Sequence, residues 1–174
     1  YLWDFGDGET STEPVVTHIY EKAGEYTVKL TVTDDSGLPC DTAGTSQTVY
    51  VNTPPSASFR APDAVCADST VNFDASSTSD DTPEKLTYMW NFGDGSRGEG
   101  KKVTHIYSKG GQYDVTLMVD DNSGTACNMD SVKSMIKVNT APFADAGPDI
   151  SMCLDSLDED YIVTLDGSSS RDAD

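Results

Sequence analysis

Residues 1–8 read Tyr-Leu-Trp-Asp-Phe-Gly-Asp-Gly, and residues 88–95 repeat them as Tyr-Met-Trp-Asn-Phe-Gly-Asp-Gly. Two aromatics, two glycines and two acidic or amide side chains in six residues have the look of a metal loop, a sugar platform or a kinase-type Asp-Phe-Gly. The second copy decides among these. Asn91 stands where Asp4 stands, so the position requires an oxygen acceptor and neither a proton donor nor a base. Residues two apart in a strand share a face, which places Trp3 with Phe5, and Trp90 with Phe92, in a core. Gly6-Asp7-Gly8 and Gly93-Asp94-Gly95 then close a hairpin, since Asp-Gly supplies the positive backbone angles of tight turns. Asp4 or Asn91 ties down the turn backbone. The kinase likeness is chance, because no lysine strand or catalytic loop accompanies it.

Working outward, Trp3 and Trp90 are 87 residues apart, as are His18 and His105, Tyr26 and Tyr113, Cys40 and Cys127, Asn52 and Asn139, and Cys66 and Cys153. A fixed spacing across unrelated residue types marks tandem domains. Val-Asn-Thr-Pro-Pro at 51–55 and Val-Asn-Thr-Ala-Pro at 138–142 punctuate the repeat. The expected organisation is therefore the later part of one repeat (1–52), a complete repeat (53–139) and the start of another (140–174). Tyr1 lies inside a strand-like segment, so the natural start is expected upstream, and a slice of two periods suits the repeating unit of a filament.

Each repeat reads as all-β. Tyr113, Val115, Leu117 and Val119 alternate with polar residues, as do Tyr26, Val28, Leu30 and Val32, which is the pattern of half-buried strands. Val71 and Phe73 mark an earlier strand, Leu86 to Phe92 the next, and Val49 with Val51, or Ile136 with Val138, the last. Short strands divided by Gly, Asp, Asn and Ser clusters predict a seven-stranded β-sandwich. A unit of this size buries a modest core, so disulfides or a metal would be useful staples.

Thirty acidic against eleven basic residues give a net charge of −19. That excludes nucleic acid, whose phosphates require lysine and arginine. It suits a solvated surface, and it suits calcium, which prefers carboxylate and carbonyl oxygens. No apolar run reaches membrane-spanning length, and there is no basic start followed by an apolar stretch. Cys40, Cys66, Cys127 and Cys153 form no Cys-x-x-Cys pair and have no nearby histidine, which argues against zinc, and disulfides in an oxidising compartment are favoured over free thiols.

The two Trp-x-Phe-Gly-Asp-Gly motifs, Val-Thr-His-Ile-Tyr at 16–20 and 103–107, and the long segments 24–37 and 111–124 together resemble the polycystic kidney disease (PKD) domain. The resemblance covers the full length. It implies a linear array of immunoglobulin-like sandwiches at a cell surface or in a secreted protein, acting as spacer, adhesion or protein- and glycan-contacting modules without catalysis. Asn91 replaces the usual aspartate, and the acidic stretch Leu154–Asp160 lengthens the third copy's first turn by five residues. Some PKD domains hold calcium at one end of the sandwich. Position by position, that set falls on Asp80, Asp81, Asp120 and Asp121, with a backbone oxygen near Asn52; solvated acidic turns are the alternative. The same loop of the third copy contains Asp172 and Asp174.

In this topology Cys127 and Cys66 fall at opposite ends of a domain, roughly 25 Å apart for a strand of seven or eight residues. A disulfide holds its Cα atoms about 4.4–6.8 Å apart. Pairing across junctions is therefore expected, Cys66 with a following Cys40 and Cys153 with a following Cys127.

The remaining candidates read as structural. His18 and His105 are single strand histidines, expected to be hydrogen-bonded. No Gly-x-Ser-x-Gly elbow exists, and a narrow sandwich offers no cleft for a glycosidase's two carboxylates. Tyr20, Tyr50 and Tyr107 are read as exposed, either contacting sugars or partners or capping the sandwich edges. Asp155 to Asp160 form a solvated turn or a partner or metal contact. The functional expectation is a segment of an extracellular PKD-repeat stalk or filament, whose partners are neighbouring repeats, further copies, or a surface glycan or protein. The alternative is a glycan- or protein-binding accessory module of a secreted hydrolase.

Overall fold

The computed structural model describes residues 1–151 and 163–172. The chain is built from strands β1 (Leu2–Asp4), β2 (Thr10–Ser11), β3 (Gly24–Thr33), β4 (Thr42–Val51), β5 (Ala64–Cys66), β6 (Thr70–Asp74), β7 (Thr87–Asn91), β8 (Arg97–Glu99), β9 (Lys102–Ile106), β10 (Gly111–Asp120) and β11 (Met129–Asn139). One 3-10 turn, Pro83–Lys85, is the only helical element among the described residues. The fold is all-β, as its alternating patterns predict. Two compact units emerge: one of 1–57, 78–87 and 119–130, the other of 58–77, 88–118 and the described residues from 131 onward.

In the first unit the strands run β2-β1-β3-β4 in one antiparallel sheet. Trp3 pairs with Leu30 across β1 and β3, and Tyr26 with Val49 across β3 and β4. Phe5 and Val28 are buried, whereas Trp3, Leu30 and Val49 are only half-buried.

In the second unit β6 pairs antiparallel with β9, with Val71 opposite His105 and Phe73 opposite Val103. A five-stranded sheet runs β5-β11-β10-β7-β8, in which β5 lies parallel to β11. The inward residues of the two sheets meet in an aromatic core. Phe73 lies 5.6 Å from Trp90 and 5.2 Å from Phe92, and Phe59 meets Trp90 edge-on at 5.1 Å. Ring pairs at these separations and tilts are favourable beyond the area they bury. Trp90, Phe73, Val115, Leu117, Ile136 and Val138 are all at most 2% exposed.

Tyr107 departs from the sequence reading. It is 1% exposed, because β9 places Val103, His105 and then Tyr107 on the inward face. Tyr20, its counterpart, is half-buried, and Tyr50 alone of the three is exposed.

Candidate functional site

The Trp-x-Phe-Gly-Asp-Gly turn is held in the same way in both copies. Asn91 Oδ1 accepts the Gly93 N–H at 3.0 Å, and Asp4 Oδ1 accepts the Gly6 N–H at 3.0 Å. Only the acceptor is used, which is why amide and carboxylate interchange here. The positive backbone angles belong to the glycines: φ is 83° and 99° at Gly6 and Gly8, and 84° and 94° at Gly93 and Gly95. Asp7 and Asp94 keep negative φ, so the turn is not the Asp-Gly type expected. Gly93 is required twice over, since a Cβ there would lie 2.8 Å from the Asp114 carbonyl oxygen. Gly6 meets Thr27 at the same 2.8 Å.

Asp94 and Asp7 carry a second clamp. Asp94 Oδ1 accepts the Ser96 N–H at 2.9 Å, and its Oδ2 lies 2.7 Å from His105 Nε2. Asp7 Oδ1 accepts the Glu9 N–H at 3.1 Å, and its Oδ2 lies 2.6 Å from His18 Nε2. Each imidazole stacks on the motif phenylalanine, His105 on Phe92 at 4.2 Å and His18 on Phe5 at 4.0 Å. A tyrosine then meets the imidazole edge-on and donates its hydroxyl to the phenylalanine carbonyl, Tyr107 to Phe92 at 2.9 Å and Tyr20 to Phe5 at 3.0 Å. Burial first, then the Asp94 charge, pushes the Tyr107 phenol well above its usual range.

Ser96, His105 and Asp94 are not a catalytic triad. One imidazole nitrogen, Nε2, faces both Ser96 Oγ at 3.3 Å and Asp94 Oδ2. A triad needs the two nitrogens to serve different partners. The first copy has Glu9 in place of Ser96 and keeps the clamp. The cluster fixes a turn to a strand.

This clamp carries a pH dependence. Burial works to raise the Asp94 pKa, but hydrogen bonds from Ser96 and His105 outweigh it and bring it down to about 2 from 3.8. A carboxylate depressed on folding adds stability above its unfolded value and loses it as pH falls through its folded value. Acidification from pH 4 to pH 2 is therefore expected to weaken the second unit, and Asp94→Asn to flatten that slope. Asp94 is solvent-exposed, so screening limits the contribution to about 1 kcal/mol. Urea titrations at closely spaced pH values measure it.

The acidic loops of the first unit are built by the same local device. Asp80 Oδ1 accepts the Thr82 N–H at 2.7 Å, Asp120 Oδ1 the Asn122 N–H at 2.8 Å, and Asp121 Oδ1 the Ser123 N–H at 2.7 Å. Each is a carboxylate binding the amide two residues on, the turn that aspartate favours. Asp34, Asp74, Asp145 and Asp166 do likewise. With Asp4, Asp7 and Asp94, ten of the chain's 30 acidic side chains build such turns.

Asp121 is the exception in burial, at 0% exposure. Asn52 Nδ2 donates to its Oδ2 at 2.7 Å. Burial pushes the Asp121 carboxyl up, but hydrogen bonds from Asn52 and Ser123 and the charge of Lys85 together hold it below its usual range. Asp81 Oδ2 accepts from the Thr53 hydroxyl at 3.2 Å. Asp80 Oδ2 is buried with no hydrogen-bond partner. Among the described residues no three His, Cys, Asp or Glu side chains converge to hold a metal. The four carboxylates and Asn52 lie in one unit. The Asn52 carbonyl is met by the Cys127 thiol at 3.6 Å.

Cys40, Cys66 and Cys127 are unpaired and exposed. Cys153, Asp155 to Asp160 and Asp174 lie outside the described residues. Sequence reasoning missed the inward tyrosine and the Asn52–Asp121 bond. The first was signalled by strand alternation; the second joins residues too far apart in sequence for any local signal.

Residues 1–49 and 52–136 match the family model described as "PKD domain". The chain is 38% identical over 124 residues to the pre-pro-metalloprotease PrtV of Vibrio cholerae, covering 71% of this chain and 13% of that protein. It is 34% identical over 116 residues to the collagenase ColA of Clostridium perfringens, covering 67% of this chain and 10% of that one. Among solved structures, the PKD1 domain of the Vibrio cholerae metalloprotease PrtV is 32% identical, with a TM-score of 0.42 over 49% of this chain and 96% of that domain.

Proposed function

This chain belongs to the PKD-domain family, a family of non-catalytic β-sandwich modules, and from that premise we propose that it is an extracellular accessory segment that spaces and contacts on behalf of a catalytic domain elsewhere in a secreted enzyme. One observation carries the reading. The similarity extends over most of this chain but over only 13% and 10% of a metalloprotease and a collagenase, the share of an appended module. The pre-pro form stated in one relative's name supports the extracellular placement. We place the repeat boundaries at 1–52, 53–139 and 140–174, on the 87-residue spacing. That spacing also favours a second reading, a segment of a longer stalk or filament. Partners are neighbouring repeats and an insoluble protein or glycan.

The test is co-sedimentation of the 174-residue chain with insoluble polysaccharides and insoluble fibrous proteins. Retention on at least one, with no turnover of glycoside, peptide or ester substrates, is the expected result. Passage through all of them unretained would leave the stalk reading. Turnover that survives repurification would overturn both. The loops at Asp80, Asp81, Asp120 and Asp121 are tested in parallel by melts in EDTA, magnesium and calcium. A rise with calcium alone would mean that they regroup around an ion.

A further inference from the structure

The five-stranded sheet of the complete repeat ends on β8, whose three residues Arg97, Gly98 and Glu99 pair with β7 alone. The segments before and after it are themselves paired, β7 in the same sheet and β9 with β6 in the other. The free edge therefore belongs to the fold of the repeat itself. Bonded pairs between β7 and β8 fall at every second residue. The Phe92 N–H donates to the Ser96 carbonyl at 3.2 Å and the Gly100 N–H to the Tyr88 carbonyl at 3.0 Å, and Gly98 lies opposite Trp90 in the same phase. Arg97 and Glu99 thus turn their N–H and C=O groups outward, along the free edge.

Their side chains lie on the outer face of the sheet, because a Cβ at Gly98 would point inward, 3.0 Å from the Phe92 ring. Both are exposed, and neither makes an ion pair or a side-chain hydrogen bond among the described residues. Elsewhere on that face charges are matched: Lys133 Nζ lies 2.7 Å from Asp114 Oδ2. Met89 stands opposite Glu99, and with Met118 it lines a groove beside the two charged residues. Charged side chains on a short edge ordinarily discourage strand pairing. Here they have opposite signs on either side of a glycine, so the edge mismatches most strands and matches an antiparallel copy of itself. In the first unit β2 holds the same place with Thr10 and Ser11, followed by Thr12, and lacks the charges.

We propose that β8 is a self-complementary interface, to which β8 of a second copy of this chain adds antiparallel about a two-fold axis at Gly98. Arg97 of each copy then lies opposite Glu99 of the other. These facing residues exchange the backbone hydrogen bonds that each edge leaves open, and opposite charges at facing positions favour the pairing. With Met89 beside Glu99, each new charge pair forms against apolar surface and is less screened than an open one. The contact is isologous, so assembly closes at two chains. The proposal goes beyond polymer contact and does not depend on it: retention on an insoluble polymer can fail with the dimer intact.

Sedimentation equilibrium tests it on the 174-residue chain over a dilution series, in reducing buffer so that Cys40, Cys66 and Cys127 stay free. Mass is expected to rise to that of two chains. Arg97→Glu and Glu99→Arg each set like charges opposite one another at both facing positions, and each should weaken the dimer about tenfold or more. Mixed in equal amounts, the two variants should pair with each other as the parent pairs with itself, since one chain then presents two acids and the other two bases. The double variant Arg97→Glu with Glu99→Arg should likewise regain parental affinity. Both positions are exposed, so the fold is retained, which circular dichroism checks. A parent that stays at single-chain mass throughout, single variants that dimerise as the parent does, or a double variant as weak as the single ones would overturn the proposal.

Discussion

Trp90→Ala is expected to lower the unfolding free energy of the second unit by about 3–5 kcal/mol, the range for removing a large aromatic from a packed core. Trp90 is 2% exposed and is surrounded by Phe59, Phe73 and Phe92. Those rings come from segments before and after it, so they cannot close together without moving strands of both sheets. Its indole N–H also donates to the Gly100 carbonyl at 2.8 Å, an acceptor the alanine variant leaves without that donor. Trp3→Ala provides the internal comparison. Trp3 makes the equivalent bond to Glu13 but is only half-buried, so its loss should cost no more than about half as much, in proportion to the area removed from water. Urea unfolding followed by circular dichroism distinguishes the two; equal costs would contradict the assignment of Trp90 to a closed core and Trp3 to an open one.

The second large effect is at Asp121. Asp121→Ala is expected to cost about 3 kcal/mol, since two charge-assisted hydrogen bonds, each worth about 1.5–3 kcal/mol, are lost together and their effects overlap. The donors are the Asn52 amide and the Ser123 N–H, both at 2.7 Å, and the carboxylate is fully buried. Asp34 occupies the same place one repeat earlier and binds the Ser36 N–H at 2.8 Å in an exposed loop. Asp34→Ala should therefore cost less than about 1 kcal/mol. Because the Asp121 carboxyl is held below its usual range, its contribution is present at neutral pH and fades on acidification. The gap between the Asp121→Ala variant and the parent should accordingly narrow as pH falls below the ordinary carboxylate range. A gap independent of pH would mean that the charge has no part in it.

The repeat, the main strands and the role of the opening motif were legible because they depend on local pattern. Tyr113 to Val119 alternate without interruption, and Asn91 in place of Asp4 reveals the acceptor role that the 3.0 Å bonds to Gly93 and Gly6 fulfil. The inward turn of Tyr107 was obscured by composition. In Val103 to Tyr107 the hydrophobicity ranking favours Ile106 for the core, yet alternation puts Ile106 outside at 52% exposure and Tyr107 inside at 1%. A tyrosine can take that place because its hydroxyl finds the Phe92 carbonyl. The acidic loops were ambiguous for a different reason. A carboxylate that builds a turn and one that binds calcium have the same sequence signature, and a turn bond to one oxygen leaves the other free for either role. Asp80, Asp120 and Asp121 each direct one oxygen to the amide two residues on.

Native-state hydrogen exchange on the 174-residue chain most directly tests whether the Trp-x-Phe-Gly-Asp-Gly motif is a fold determinant instead of an open site. The amides to follow are Phe92, bonded to the Ser96 carbonyl, Gly93, bonded to Asn91, and Ser96, bonded to Asp94. They are expected to exchange only with global opening of the second unit, at the same free energy as the core amides of Val115 and Leu117. Exchange of these three at loop rates, while Val115 and Leu117 stay protected, would contradict the account.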